Sequence, residues 1–303
     1  MMNSKLIQRL SPAPVLGVSL ARVSMLRLDL AGGLAPGNKL FKLNENFTEA
    51  QRNGNTRLAS FGGAWSNHLH ALAALGRERG FESIGIVRGE KPAAPSAMLC
   101  DAARWGMQLR YVSRSAYRHR NSPEFVAALL KDIGPCHIIP EGGANTAGAM
   151  GCKAIAQLLP TEVDVPRRIV LAVGTGTTLA GIAAALPGSA DIVGVSVLKG
   201  ASDLDDRVRK RLQDLGANQV GSWRVAHDHH CGGYARVSPE LKAFILEFER
   251  VHKIPLDPVY TGKALFAVFK MAQRGDWDGE IIAIHTGGLQ GRRGYPWLSD
   301  FEV

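Results

Sequence analysis

The sequence predicts an α/β fold, in which mostly parallel, twisted strands form sheets covered by helices. From about residue 56 onward, short runs rich in β-branched residues alternate with longer segments whose apolar residues recur three and four positions apart. Several of the short runs end in glycine. Such alternation is typical of parallel strands joined by helices. A chain of 303 residues that is 46% hydrophobic is also long enough for two domains of ordinary size.

The predicted elements follow one another in a regular order. Strands are predicted at 56–62, 83–89 and 109–113, with a strand and turn at 137–143. Helices are predicted at 67–80, 96–106, 123–134 and 149–159. Three further units of a strand followed by glycine are predicted at 167–176, 191–198 and 280–288.

Four of the strands run into a glycine-containing turn. The turns are SFGG at 60–63, PEGG at 140–143, VGTG at 173–176 and HTGG at 285–288. In open α/β sheets, ligands bind beyond the carboxyl ends of the strands, where such turns let the backbone come close. The four turns therefore predict one shared cleft.

The net charge of +9 comes from basic residues that are scattered along the chain. The densest cluster, Arg207 to Arg211, lies among aspartates, which favours a solvated helix face of mixed charge. A nucleic-acid-binding protein is the alternative of a different class. It is disfavoured, because the sequence has no basic stripe and no recognition motif.

The cysteines and the N-terminus indicate the compartment. The four cysteines are far apart and form no CxxC pair, so neither a disulfide framework nor a zinc site is predicted from them. The first 20 residues lack the uninterrupted apolar core of a signal peptide. No apolar stretch approaches the length of a membrane span. The expectation is a cytoplasmic protein without a membrane partner.

The strongest signal for a ligand is the segment 170–186, VLAVGTGTTLAGIAAAL. A strand runs into a turn and a helix begins at once; the turn is Gly174, Thr175, Gly176, Thr177 and Thr178. Backbone N–H groups, hydroxyls and the positive end of a helix together form a site for a phosphate. The segment matches neither a Walker A loop nor GxGxxG. A plain strand-to-helix turn with threonine as the cap is the alternative.

Two further segments carry candidate catalytic groups. Lys39 in GNKLFKL follows Gly37, which leaves room for a ring beside the amine. A lysine that forms a Schiff base needs a neutral, partly buried amine, whereas an isolated lysine is usually a surface charge. Ser66 and Asn67 in SFGGAWSNHLH stand where a strand turns into a helix, and either one is an ordinary helix cap. The amide can also bind a phenolate oxygen, and the hydroxyl can move a proton or bind a carboxylate.

Together, these segments resemble a known family. GNK(x)2KL, GG(x)2SNH, PEGG(x)4GAMG, GTGTTLAG, GGYA, DPVYTGKA and HTGG occur here in the order seen in the 1-aminocyclopropane-1-carboxylate (ACC) deaminase and D-cysteine desulfhydrase family. That family belongs to the fold type II pyridoxal phosphate (PLP) enzymes, which are similar to the tryptophan synthase β-subunit. The resemblance extends from about Arg27 to Tyr295, and its short motifs are jointly specific.

The resemblance implies an architecture and an assembly. It implies a two-domain, three-layer α/β/α fold with PLP in the cleft, and a homodimer. The large domain would combine 1–40 with 150–303, and the small domain would be 41–149.

The resemblance also implies roles for particular residues. Lys39 is the lysine that PLP binds covalently, and Asn67 contacts the phenolic oxygen of the cofactor. The turn from Gly174 to Thr178 holds the phosphate, and Thr286 lies near the pyridine nitrogen. The residues that act on the substrate are Ser66, Tyr234 and Tyr260.

The residue after Tyr260 separates two reactions of the family. Ring-opening deaminases carry Glu there, which keeps the pyridine nitrogen protonated, whereas this chain has Thr261, as in the desulfhydrases. A weaker electron sink suffices when a good leaving group departs from Cβ. The expectation is α,β-elimination from a small amino acid such as D-cysteine, giving pyruvate, ammonia and hydrogen sulfide, with the freed Lys39 as base. ACC deaminase, giving 2-oxobutanoate and ammonia, or another PLP lyase or racemase, is the alternative.

Three features depart from the family pattern or suggest another site. Pro36 precedes Gly37, where the family has a second glycine, and Trp65 stands beside Ser66, so a shifted specificity is open. HDHHC at 227–231 is rich in metal-ligating residues, but adjacent ligands in a regular element cannot all reach one tetrahedral ion. The expectation is that this segment delivers Tyr234 to the cleft and binds no metal.

Overall fold

The computed structural model describes residues 6–160, 167–218, 220–276 and 279–298, and within them strands and helices alternate. The strands are β1 (Ile7–Arg9), β2 (Val23–Arg27), β3 (Arg57–Gly62), β4 (Glu82–Arg88), β5 (Gln108–Val112), β6 (His137–Ile139), β7 (Arg167–Val173), β8 (Asp191–Ser196), β9 (Ser222–Ala226) and β10 (Glu280–His285). The α-helices are α1 (Asn38–Arg52), α2 (Asn67–Arg79), α3 (Ala97–Arg104), α4 (Arg114–Tyr117), α5 (Pro123–Ile133), α6 (Thr146–Ala156), α7 (Thr177–Ala183), α8 (Leu204–Asp214), α9 (Pro239–His252) and α10 (Thr261–Arg274). The predicted α/β class is confirmed.

The strands form two sheets. The larger has six strands in the order β1-β2-β10-β7-β8-β9, and its neighbours are parallel except for β1 and β2. The smaller has four parallel strands in the order β5-β4-β3-β6. The strands of the smaller sheet come from residues 57–139, whereas the larger sheet takes strands from both sides of that segment. The prediction of mostly parallel sheets is confirmed.

Helices cover both faces of the six-stranded sheet, as its apolar strands require. Alternate residues of β7 point to opposite faces. Val170 packs with the cluster that contains the apolar side chains of α9 and α10, whereas Ile169 and Leu171 pack with the cluster of α6, α7 and α8. Ligands of such a sheet bind at the ends of its strands, where the glycine turns lie.

Several elements escaped the sequence patterns. The hydrophobic periodicity of the sequence predicts no helix or strand at β1, β2, α1, β9, α9 or α10. Helix α6 begins at Thr146 rather than at the predicted residue 149. Helix α10 has ten buried residues among its 14, and the polar side chains of Thr261 and Lys263 are among them, so polarity in the sequence does not mark these two positions as buried. The predicted domain boundaries at 40/41 and 149/150 fall inside α1 and α6, which pack on each other. The division into domains therefore stays a prediction.

Helix α8 has a face of mixed charge. In α8 the densest basic cluster forms ion pairs one helical turn apart, Arg207 with Asp203 at 2.8 Å and Lys210 with Asp214 at 3.0 Å. This confirms the expected helix face of mixed charge. Among the described residues, no helix is long and apolar enough to cross a membrane.

Candidate active site

A cavity of about 990 Å³ is bounded by turns from both sheets. It is lined by Gly63 after β3, Pro140 after β6, Gly174 after β7 and Thr286 after β10. The four glycine-containing turns thus share one cleft, as the sequence predicts. The other predicted site residues that line it are Lys39, Ser66, Asn67, Thr175, Gly176, Thr178, Tyr234 and Tyr260.

Lys39 lies in the first turn of α1, held against the turns that follow β7 and β10. Gly37, just before the helix, has a φ of 105°, and a side chain there would overlap the carbonyl of Thr286, so glycine is required. The N–H of Asn38 donates to that carbonyl at 3.1 Å, and its Nδ2 donates to Oγ1 of Thr178 at 3.0 Å. These bonds place the half-buried Lys39 in the cavity, where its Nζ donates to Oδ1 of Asn38 at 3.0 Å.

The amine of Lys39 is tuned for reaction with an aldehyde. Burial and, after it, the neighbouring ammonium of Lys42 lower its pKa from 10.5 to about 7, while Cys152 and Asp257 act in the opposite direction. A large fraction of Lys39 is therefore a neutral amine near pH 7. The neutral amine is the form that attacks a carbonyl carbon.

The turn between β7 and α7 has the form of an anion site. Gly176 is the N-cap residue of α7 with a φ of 80°, and no side chain caps the helix. The first N–H groups of the helix therefore point to the cavity side without intrahelical partners. Oγ1 of Thr175 lies 3.0 Å from Oγ1 of Thr177. The alternative of a threonine-capped turn is not observed, and the arrangement fits a phosphate.

The start of α2 presents Ser66 and Asn67 to the same cavity. Ser66 is the N-cap, and its Oγ accepts the N–H of Leu69 at 3.2 Å. Oδ1 of Asn67 accepts from Nε2 of Gln290 at 2.6 Å, while its Nδ2 faces Gly288, where a side chain would overlap it. Ser66 is thus an ordinary cap, as the alternative interpretation had it, and it also lines the cavity. The bond to Gln290 engages the amide oxygen of Asn67, so its Nδ2 would be the donor to a ligand oxygen.

Two tyrosines and two threonines complete the set of side chains singled out in the sequence. The rings of Tyr234 and Tyr260 are 6.2 Å apart and nearly perpendicular, and Nζ of Lys39 lies 5.9 Å from the centre of the Tyr260 ring. Burial, followed by the Tyr234 hydroxyl, raises the pKa of Tyr260 well above its usual value, so its hydroxyl stays protonated at neutral pH and can donate a hydrogen bond. Oγ1 of Thr261 lies 3.5 Å from Oγ1 of Thr286, and both residues are buried.

Asp257 positions this set, although sequence reasoning assigned it no role. Its Oδ1 accepts the N–H of Val259 at 3.0 Å and of Tyr260 at 2.7 Å, and its Oδ2 accepts the N–H of Thr261 at 2.8 Å. The buried carboxylate thus closes the turn before α10 and is occupied by backbone donors. Asp before Pro, three residues ahead of a tyrosine that begins a helix, is a capping signal that the sequence contained.

A second buried lysine was also missed. Lys42 lies on the face of α1 that carries Lys39, and its Nζ donates to the carbonyl of Gly142 at 3.0 Å. Burial lowers its pKa. The sequence did contain a signal for Lys42, because a spacing of three residues from Lys39 places both lysines on one face of a helix.

His68 has a single tautomer in this environment. The hydroxyl of Ser60 donates to the carbonyl of Ile139 at 2.7 Å, so the Nε2–H of His68 must donate to the Ser60 oxygen, 2.9 Å away. Nδ1 is then a buried acceptor, and it has no partner within the described residues. Burial and, after it, Lys39 and Lys42 hold the pKa of His68 well below its usual range.

The HDHHC segment leads from β9 to Tyr234, and its side chains have separate partners. Nε2 of His227 is 2.7 Å from Oδ2 of Asp205, and Nδ1 of His230 accepts the N–H of Gly232 at 3.1 Å. Across the described ranges, no three His, Cys, Asp or Glu residues are grouped so that they could hold a metal ion.

A half-buried lysine with a lowered pKa, in one cavity with a glycine-threonine turn on this fold, is typical of fold type II PLP-dependent enzymes. The chain belongs to the pyridoxal-phosphate dependent enzyme family, whose model matches residues 31–287. It is similar to a Pyrococcus abyssi protein named "Putative 1-aminocyclopropane-1-carboxylate deaminase", with 30% identity over 89% of this chain and 85% of that protein. A solved ACC deaminase homologue superposes with a TM-score of 0.80 and 28% identity, over 95% of this chain and 90% of that one. Threonine deaminase isoform 2 from Solanum lycopersicum shares the fold, with a TM-score of 0.63 and 13% identity over 95% and 81% of the two chains.

The residues present fit the cofactor of this family. Lys39 would supply the amine, the turn from Gly174 to Thr178 would supply the phosphate site, and the glycines around them leave room for a ring. When bound, PLP supplies an electron sink for a carbanion at Cα of an amino acid. The protein is therefore a PLP-dependent enzyme of the lyase and deaminase type.

Proposed function

We propose that the protein catalyses α,β-elimination from a small amino acid with a leaving group on Cβ, with D-cysteine as the leading substrate. The products would be pyruvate, ammonia and hydrogen sulfide. The observation that carries the proposal is Thr261, which is buried beside Thr286 with 3.5 Å between their hydroxyl oxygens. By resemblance, this is the place of the pyridine nitrogen.

A hydroxyl cannot keep a pyridine nitrogen protonated as a carboxylate can, so the electron sink is weaker. The nearby carboxylate of Asp257 is already bound by three backbone N–H groups. Opening a cyclopropane, in which no α-hydrogen can be removed, requires the stronger sink. Expulsion of a thiolate from Cβ does not, because the leaving group accepts the charge.

The side chains of the cavity suit the proton transfers of an elimination. The amine of Lys39 has a pKa of about 7 and can accept the proton of Cα. The raised pKa of Tyr260 keeps its hydroxyl protonated, so it can donate a hydrogen bond to the departing group. The N-terminus of α2 with the Ser66 hydroxyl is suited to the substrate carboxylate.

A second candidate is ACC deaminase, because relatives 30% identical to this chain bear that name. A homodimer is also proposed on the resemblance alone. The purified holoenzyme, given D-cysteine, L-cysteine, other β-substituted alanines and ACC, separates the two activities. Pyruvate with sulfide from D-cysteine supports the proposal, whereas 2-oxobutanoate from ACC with no product from D-cysteine would contradict it.

The variant Thr261→Val removes the hydroxyl at nearly constant volume, and Thr261→Ser retains it. We expect the valine variant to lose on the order of tenfold in kcat, which is the scale of one lost hydrogen bond of about 1.4 kcal/mol. The serine variant should stay within a few-fold of the parent. Equal activities of the two variants would remove the hydroxyl from the argument.

A further inference from the structure

The loop that carries Tyr234 has an unfavourable backbone. Between the end of β9 and the start of α9, four residues have φ values in the left-handed region, 50° at Cys231, 94° at Gly232, 113° at Gly233 and 56° at Ala235. Cys231 and Ala235 carry a Cβ, for which this region is disfavoured. Tyr234 lies among them and is 48% exposed. A strained loop with an exposed aromatic side chain needs an anchor to keep one conformation.

Lys263 supplies a contact of that kind. It is the third residue of α10 and has no exposed surface, and its Nζ donates to the carbonyl of Gly233 at 2.6 Å. Burial lowers its pKa to about 8, although Cys231 and Asp257 favour the charged form. Within the described ranges, no carboxylate lies at ion-pair distance from this amine.

The position of Lys263 is costly. A buried amine without a paired carboxylate pays a desolvation penalty, and the N-terminal end of a helix already carries positive charge. An apolar side chain of the same length would avoid both effects. The charge is therefore not explained by the stability of the helix.

The bond between Lys263 and Gly233 joins two parts of the site. Lys263 lies three residues after Tyr260 at the same end of α10, and Gly233 directly precedes Tyr234. The rings of the two tyrosines are 6.2 Å apart. We propose that Lys263 is a positioning residue, which fixes Tyr234 against Tyr260 through the carbonyl of Gly233. This inference does not depend on which amino acid is the substrate.

The test replaces Lys263 by Met, which keeps the length of the side chain and removes the donor. The carbonyl of Gly233 still accepts the N–H of Arg236 at 3.1 Å, so the variant leaves no unpaired acceptor. Lys131→Met is the control, because it makes the same change at an exposed position on α5.

Three measurements on the holoenzymes distinguish positioning from general support of the fold. Hydrogen–deuterium exchange should rise severalfold in 227–238 and stay unchanged in α10, with a melting temperature no lower than that of the parent. The Lys263→Met change should lower kcat in the parent and have no further effect in a Tyr234→Phe background. The control should match the parent in all three.

Any of three results would overturn the proposal. Unchanged exchange in 227–238 would show that the bond does not hold the loop. A lower melting temperature with faster exchange in α10, or full additivity with Tyr234→Phe, would show that Lys263 supports the fold rather than Tyr234. Exchange and melting need no substrate, so they remain decisive if the panel of amino acids refutes the proposed elimination.

Discussion

The pH dependence of cofactor uptake follows from the environment of Lys39. At pH 7 a lysine with the ordinary pKa of 10.5 is neutral in about one molecule in 3,000, whereas a pKa of about 7 makes about half of the molecules neutral. The reactive form is thus enriched on the order of 1,500-fold at pH 7. We expect the rate of PLP uptake by the cofactor-free enzyme to rise about tenfold per pH unit below pH 6 and to level off above about pH 8.

The variant Lys42→Met tests the cause. The ammonium of Lys42 is the second largest influence that lowers the pKa of Lys39, after burial. Its removal should raise that pKa and move the plateau to higher pH. Lys131→Met is the control, because Lys131 is exposed on α5.

Stopped-flow absorbance of the cofactor gives the rate at each pH. A parent whose rate continues to climb tenfold per unit up to about pH 10 has an unperturbed lysine, and the reasoning would then be refuted. A Lys42→Met profile that coincides with the parent profile would leave burial as the whole cause.

Three further predictions concern the frame around the amine. Gly176→Ala places a Cβ on a residue whose φ is 80° and within 2.8 Å of a methyl group of Val208. The affinity for PLP, measured by fluorescence titration, should fall, and the free energy of unfolding should drop by about 1–3 kcal/mol. Gly188→Ala, which has no such close contact, is the control. Ser60→Ala removes the acceptor of the His68 Nε2–H, so the ¹⁵N resonances of that ring should move from one tautomer toward a mixture. In the cofactor-free parent, Lys39 loses its proton near pH 7 in the folded state but only near pH 10.5 in the unfolded chain. Between these two values the unfolded chain holds more protons, so the free energy of unfolding rises with pH. Lys39→Met should therefore be more stable than the parent at pH 7, and the difference in melting temperature should shrink by pH 9.

The sequence predicted the parts of the fold whose patterns are local. The strand and glycine turn of 167–176 combine an apolar run with a turn, and the structure has β7 at Arg167–Val173 with the turn behind it. The strand β2 is five residues long and pairs in parallel with β10, more than 250 residues away, so its partner gives no local signal. Helix α10 buries Thr261 and Lys263 together with its apolar residues, and the tertiary contacts that make these two polar residues buried have no counterpart in the local pattern.

The same distinction holds for the candidate site. Lys39 and Asn67 were found because family motifs surround them, and their placement in one cavity agrees with those motifs. The tautomer of His68 depends on the hydroxyl of Ser60, which in turn donates to a carbonyl of β6. The spacing of residues in the sequence does not show that second bond. The role of Asp257 required knowledge of where its carboxylate points.

The positive charge in the cavity acts both on the amine of Lys39 and on a bound phosphate. Lys39 and Lys42 lie on one face of α1, close to the positive end of α7, and the carboxylate of Asp257 is bound by backbone donors. After burial, which is the larger cause, this positive charge favours the neutral amine at Lys39, because each neighbouring cation penalises a second one. It also attracts a dianionic phosphate to the turn at Gly174–Thr178. The charge of Lys42 therefore acts on both the phosphate and the lysine, so Lys42→Met should weaken phosphate affinity and raise the pKa of Lys39, while the contribution of burial to that pKa should remain.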